Sequence, residues 1–562
     1  MLPDPATQRS TPHQPPGEGG QRPFASGLWI VSSSTLLSRI LGMLRDTVTA
    51  RLFGVSPVTD AFWLAFKIPN LARRLFGEGA LTAAFLPAFS RELARGSGGG
   101  VPPAAWQLAS AVFSFLAAIL AGLVLAGEAI VWLLSQAFVD EPDTRLLLGL
   151  IAVMLPYAML ICLAAQVTAI LQALGHFTWP ALVPVVLNLC WISSIWLVDP
   201  WFEPDRIAQA YALAVCVVVA GVFQLALQWP TLLRLGFRLR AGWRESRPAV
   251  REVFRAMLPV VVGLSIEQIN TLADGLIAWG FSQPEGGLPM PLPGSPAYPL
   301  RAGAVSALYF AERMYQFPLG VFGIALGTVL FPLFAGHAAR GELHKLRDDL
   351  TLGLRLVIAI GIPASAGLIV LALPLTRLLF EHGEFTMDDS LRTAALIRAY
   401  GAGVWAFCGL PILYRGFYAL GDRMAPLRVG LWAVACDTIL NLTLIWPLAE
   451  RGLACSTALS ATGQIFCLVW LIQRRVGQLD WRRLMATAAR TVLATGLMSA
   501  CCAGAMLLLP FGDGRWQQIL SVFGPVTLGI ASFFAAARLT GLVELNWLLS
   551  RHVPEPRASG KE

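Results

Sequence analysis

The amino-acid sequence predicts an all-α polytopic membrane protein with 14 transmembrane helices: two six-helix lobes related by an internal repeat, plus two C-terminal helices. Three observations carry this reading. Of 562 residues, 56% are hydrophobic and 14% charged, with a mean hydropathy of +0.64; a soluble domain has about 25% charged residues. Apolar stretches long enough for the roughly 20 residues of a span follow one another through the chain. And ALTAAFLPAFSRELARG (80–96) returns as ALGTVLFPLFAGHAARG (325–341), with Pro87 over Pro332.

In chain order, residues 1–27 are rich in Pro, Gly and Gln and read as a disordered cytoplasmic tail. The spans follow at 28–53, 60–93, 105–135, 145–174, 178–199 and 206–232, making an N-lobe over 28–232. A basic cytoplasmic linker occupies 233–249. A C-lobe over 250–475 holds spans at 250–282, 300–337, 346–380, 390–420, 425–447 and 452–474. The last two spans, 484–510 and 516–540, fall within 476–545, and 546–562 is a C-terminal cytoplasmic tail. A second repeat pair, QALGHFTWP (172–180) and YALGDRMAP (418–426), lies at almost the same spacing as the first. An even number of spans per copy keeps both copies in one orientation, the parallel-repeat plan that puts a substrate path between two halves.

Connectors fix the orientation. SRELARG, HAARGELHKLRDD and QRRVGQLDWRR are basic, and seven arginines fall between 234 and 255. FVDEPD, VDPWFEPD and FEHGEFTMDD are acidic or neutral. Every basic connector follows an even-numbered span, which places both termini in the cytoplasm. The net charge of +8 is explained by these connectors, and no nucleic-acid module is present. The nine cysteines lie in apolar stretches without metal-ligand spacing and read as small packing residues.

The informative residues are charges inside spans. An arginine at mid-bilayer costs about 2.5–3.5 kcal/mol, so Arg39 and Arg45 must face protein or water. Ser38 and Arg45 share a face of the first span, as do Arg39 and Asp46. In the second span Lys67, Asn70, Arg74 and Glu78 draw one polar stripe beside Arg73, with Asp60 near its start. Pro69 and the Gly77–Gly79 pair are natural places to bend it. The eighth span carries Glu312 and Arg313, the tenth Arg415. Both halves thus contribute to one wet cavity with excess positive charge, and arginine favours a phosphate or carboxylate held in a fork. A multidrug antiporter would want acids and aromatics to meet cationic drugs. An integral-membrane transferase would need catalytic acids such as Asp348-Asp349 or Asp388-Asp389, which stand at helix starts where acids commonly cap.

SRILGMLRD, TDAFWLAFKIPNLARRLFGEGA and ERMYQFPLG resemble the lipid II flippase family (MurJ, also MviN), within the superfamily of multidrug and oligosaccharidyl-lipid exporters. The resemblance spans 28–545. It implies a transporter, not an enzyme, moving undecaprenyl-pyrophosphoryl disaccharide-pentapeptide from the cytoplasmic to the periplasmic leaflet of a bacterial inner membrane for peptidoglycan synthesis. Another polyprenyl-pyrophosphate glycan is the alternative cargo. It implies a monomer acting on lipid without nucleic acid, and a groove for the lipid tail on the last two helices. It assigns substrate contact to Arg39, Arg45, Arg73 and Arg313, with Ser38, Asp46 and Asp60 as polar companions; Gln316 departs from an acid found in some members. It further implies a coupling sodium ion at Asp274, Asp437, Asn441, Thr457 and the backbone of Leu453, with acid and amide swapped at 437 and 441.

Overall fold

The computed structural model describes residues 21–96, 100–239, 243–284, 298–508 and 514–544; the side chains of residues 21–32 and a few others, Glu78 among them, lie outside the described set. The N-lobe comprises α1 (Gln21–Phe53), α2 (Pro57–Ala72), α3 (Thr82–Ala94), α4 (Pro103–Ala137), α5 (Pro142–Ala173), α6 (Thr178–Phe202) and α7 (Arg206–Arg234). The C-lobe follows as α8 (Trp243–Gly280), α9 (Ala304–Pro318), α10 (Ala325–Ala339), α11 (Leu343–Val370), α12 (Ala372–Phe380), α13 (Met387–Gly401), α14 (Val404–Ala419), α15 (Met424–Leu448) and α16 (Glu450–Val476). The C-terminal pair is α17 (Trp481–Leu508) and α18 (Arg515–Leu539). Helix begins at Gln21, ahead of the expected start, and α8 covers the second half of the expected linker. The remainder of both tails lies outside the described residues.

Among the described residues, ten spans are long and apolar enough to cross a membrane, or eleven with α13 and α14 taken as one span bent by 43°. The expected count of fourteen also needs α1, the α2–α3 rod and α8. These are the elements that carry Arg39, Arg45, Asp46, Lys67, Arg73, Arg74 and Asp274. These three are too polar to pass as apolar spans because of those charges, whereas Glu312, Arg313 and Arg415 lie in spans that pass.

Pro69 does not break the second span. Helix continues through it, and the irregularity falls at Arg73–Leu81, a π-helical segment between α2 and α3. The eighth span has its counterpart at Leu319–Ile324, between α9 and α10. Each π segment holds a glycine against the same helix of its lobe: Gly77 lies over Cys162 of α5, and Gly323 over Cys408 of α14. Cys162 Sγ donates to the Ala72 carbonyl (3.4 Å) and Cys408 Sγ to the Pro318 carbonyl (3.7 Å). All three pairings repeat at one spacing of 246 residues (77 against 323, 162 against 408, 72 against 318). These two thiols are therefore not only packing residues; each serves a carbonyl that the wider π turn displaces from regular α pairing.

The lobes meet around a pseudo-two-fold axis, where repeat mates touch each other as residues on an isologous axis do. Asp60 accepts from the backbone N–H (2.7 Å) and hydroxyl (2.6 Å) of Ser306. Trp63 stacks on Tyr309 with centroids 3.6 Å apart. Both pairs are 246 residues apart. Beyond them the turns after α1 and α12 interlock: the Glu384 N–H donates to the Arg51 carbonyl (2.9 Å), and Arg206 pairs with Glu384 (2.7 Å). Gly54 and Gly383 both have positive φ, and a Cβ on either would come within 2.5 Å of the other turn's backbone. This end of the molecule is closed. The C-terminal pair is fastened to the C-lobe by Arg355 of α11, which donates to Glu544 (2.7 Å) and Thr487 (3.0 Å).

Candidate functional site

Arg45 is buried at 7% exposure. Its Nε and Nη2 donate to Asp46 Oδ1 at 3.0 and 2.7 Å, and its guanidinium lies 4.8 Å from the Trp191 ring. Arg313 arrives from the other lobe and places Nε 2.9 Å from Asp46 Oδ2. Tyr309, between them, accepts from Arg313 and reaches Asp46 Oδ1 at 3.2 Å. Two guanidiniums share the Asp46 carboxylate, which leaves one positive charge in excess at that carboxylate; Glu312, on the same helix as Arg313, also acts on Arg313. The Arg313 side chain is 30% exposed and that of Arg45 8%; Arg313 presents the charge to open space. Arg45 is corrected from a chamber-lining cation to a buried partner that holds Asp46.

Arg39 is exposed two turns away on α1, its guanidinium against Gly320 of the second π segment. A cavity of about 250 Å³ lies there, lined by Ser34, Thr35, Ser38, Arg39, Gln172 and Pro180 among others. The Ser38 carbonyl accepts from Asn188 (3.1 Å). Contacts 39/320 and 46/313 show α1 antiparallel to the eighth span. Seven residues separate the two levels, about 10 Å at ~1.5 Å per residue. The result is a ladder of positive charge, with Arg39 at one level and Arg313 at the next.

The other predicted residues do not join this ladder. Asp60 is corrected to a cap on α9, spent on Ser306. Lys67 turns to α8, with Nζ 3.4 Å from the Thr271 carbonyl, and Arg74 donates to Gln268 of α8 (3.3 Å). Asn70 accepts from Arg73 Nε (2.9 Å), and the Glu78 side chain lies outside the described residues. The stripe exists, but it faces α8. Arg415 is also no cavity cation: it donates to the Ile324 carbonyl at the end of the second π segment (3.0 Å).

A second polar cluster lies between α8, α15 and α16. Asn441 donates to Asp274 (2.7 Å) and Asp437 (3.4 Å), and Asn270 donates to Asp437 (3.1 Å). Asp437 is 1% exposed and Asn441 fully buried. Asp437 Oδ1 and Asn270 Oδ1 are buried with no hydrogen-bond partner among the described residues. Orphaned oxygens beside two carboxylates fit a hard monovalent cation, whose ligands are oxygens. Two details bear on the expected ligand set. Thr457 donates to the Leu453 carbonyl (3.0 Å), and the single Ser456 hydroxyl proton is within reach of both that carbonyl (2.8 Å) and Asn441 Oδ1. Asn270 and Ser456, missed from the sequence, bond directly to Asp437 and Asn441.

The acids that an enzyme reading would use are engaged elsewhere. Asp388 pairs with Arg301 (2.8 Å), Asp389 closes the capping box of α13 with Thr386, and Asp348 pairs with Arg347 (2.9 Å). In the same connector Lys345, His337 and Arg340 surround Glu342 and hold its carboxyl down at about 2.

Two duplicated helical lobes meeting over buried arginines define a transporter of the two-lobed exporter class. The solved lipid II flippase MurJ in an inward closed conformation has this fold, with a TM-score of 0.69 at 21% identity over 92% of this chain and 99% of that one. An inward-facing MATE multidrug transporter of the MOP superfamily shares it more loosely, at a TM-score of 0.60 and 15% identity over 78% of this chain and 94% of that one. The family profile "Lipid II flippase MurJ" matches residues 49–519. The probable lipid II flippase MurJ of Rhizobium tropici is 31% identical over 94% of this chain and 97% of its own length. The lipid II flippase MurJ of Burkholderia cenocepacia is 30% identical over 84% and 89%. The chain belongs to the lipid II flippase MurJ family.

Proposed function

We propose that this transporter moves lipid II from the cytoplasmic to the periplasmic leaflet by alternating access. The observation that carries the mechanism is the surplus charge at Asp46: Arg45 fixes the carboxylate, and the cross-lobe Arg313 is left partly exposed and cationic. A pyrophosphate entering the α1/α9 seam would meet Arg39 first and Arg313 about 10 Å deeper. Each guanidinium offers fork-shaped donors in place of water. The end closed by the Arg206–Glu384 pair then faces the periplasm, with both termini cytoplasmic. The prenyl tail would stay in lipid along α17 and α18, and the chain would act as a monomer in the bacterial inner membrane. A sodium ion, held by Asp437, Asn270 and Asp274, would supply a fixed positive charge for coupling. The basic ladder disfavours cationic drugs as cargo.

The test is reconstitution with fluorescent lipid II and a leaflet-specific quencher. Arg313→Ala should cut transport by about 100-fold or more, consistent with losing a charge-assisted pair of roughly 3 kcal/mol. Arg39→Ala should cost about 10-fold, and Arg313→Lys should restore part of the rate. Wild-type rates in Arg313→Ala would remove the pyrophosphate role.

A further inference from the structure

The duplication assigns Lys67 a partner. It stands 246 residues before Arg313 (67 against 313), and each is followed three residues later by a side-chain amide, Asn70 or Gln316. The carboxylates they approach are mates as well. LRDTVTARLF (44–53) and LADGLIAWGF (272–281) align with Leu, Asp, Ala and Phe in register, so Asp274 of α8 matches Asp46 of α1. Arg313 crosses from the C-lobe to Asp46. Lys67 crosses the other way, from the N-lobe to α8. Its Nζ lies on the Thr271 carbonyl (3.4 Å) and over Gly275, where a Cβ would stand 3.1 Å from it. From there its charge acts on the Asp274 carboxylate, as does that of Glu312.

We propose that Lys67 is a cross-lobe positioning residue that opposes cation binding at the Asp274–Asp437 cluster, so that ion binding favours conformations in which α2 draws its ammonium away from α8. The proposal rests on the reading that this cluster holds a monovalent cation. Its physical basis is that both positive charges act on one carboxylate, yet only the ion belongs to the cluster's own lobe. Lys67 arrives with α2, so any motion parting α2 from α8 removes a positive charge from the site. By linkage, the ion that binds tighter without Lys67 nearby must itself favour that separation. Lys67 also lowers the charge of a two-carboxylate site, which selects for monovalent over divalent cations because repulsion scales with the ion's charge. Gly275 is what lets the ammonium approach.

The experiment is calorimetric titration of the full chain in detergent with NaCl, and separately with MgCl2, against a choline chloride background. Lys67→Gln should tighten sodium binding by about 10- to 100-fold, the size expected for two unit charges several ångströms apart at an effective dielectric of about 20. The gain for magnesium should be larger. Lys67→Arg should stay near wild type. Gly275→Ala, which keeps the lysine but crowds its ammonium, should tighten sodium by roughly 3-fold, and it stands in should Lys67→Gln fail to fold. Unchanged or weaker sodium binding in Lys67→Gln and Gly275→Ala overturns the proposal. The underlying site is tested apart from it: Asp437→Asn should abolish sodium binding, and an Asp437→Asn variant that binds as wild type discards the cation site itself and this proposal with it.

Discussion

Asp46 and Asp274 occupy matching positions in α1 and α8, and each is approached by a cation from the opposite lobe, yet their surroundings carry opposite signs. Around Asp46 the neighbour is Arg45, and the helix packed behind it offers Trp191. Around Asp274 the residue matching Arg45 is Ala273, and the residue matching Trp191 is Asp437 (191 against 437, the spacing of QALGHFTWP and YALGDRMAP). Two substitutions on one inherited scaffold thus turn a net-positive cluster into a net-negative one. The cross-lobe pair is shared. What the difference teaches is that a duplicated fold supplies geometry twice, while the residue beside the carboxylate decides whether the copy is suited to an anion or to a cation.

The sharpest way to break this comparison is to delete both carboxylates. Asp46→Ala leaves two guanidiniums without their counter-ion, one of them buried, and should cost about 3–5 kcal/mol of stability. Asp274→Ala removes one of two adjacent like charges, so its thermal midpoint should stay within a degree or two of wild type or rise, while the response to sodium disappears. Thermal unfolding of both variants in sodium and in choline chloride checks this. Equal destabilisation by the two would show that the sites are not electrostatic opposites.

The sequence made the frame legible and much of the site illegible, for physical reasons. Apolar run lengths and the two repeat motifs were enough to define the duplicated helical frame. The polar stripe on the second span was visible from its spacing, but the partner it faces was not, because helical periodicity names a face and not a neighbour. Arg45 and Asp46 are adjacent in sequence, some 100° apart on an ideal helix; their pairing depends on a long side chain curling back, which face arithmetic assigns instead to Arg39 with Asp46. Asp60 could have been recognised as structural from the repeat alone, since its mate is Ser306 and axis residues meet their own copies. The π segments were out of reach. Glycines at 77 and 79 marked irregularity, but only coordinates show that Arg415 and the two cysteines serve the carbonyls there.

Those π segments offer a finer comparison with a smaller expected effect. Both lie in the spans that cross at the pseudo-two-fold axis, and both set a glycine against a cysteine-bearing helix. The second is tighter: a Cβ at Gly323 would stand 2.9 Å from Cys408 Cα and 3.1 Å from its carbonyl oxygen, both backbone atoms. A Cβ at Gly77 would meet the Ala165 methyl at 3.1 Å and Cys162 Cα at 3.6 Å. Gly323→Ala must therefore push α14 from the π segment and should cost about 1–3 kcal/mol, whereas Gly77→Ala can be absorbed by a small shift and should cost less than about 1 kcal/mol. Thermal unfolding ranks the two variants, and lipid II transport shows whether the tighter contact is also the hinge: if it is, Gly323→Ala loses rate beyond its loss of folded protein. The reverse order of stabilities would mean that the six-residue π segment of the C-lobe yields more readily than the nine-residue one of the N-lobe, and that the two copies have diverged in stiffness as they have in charge.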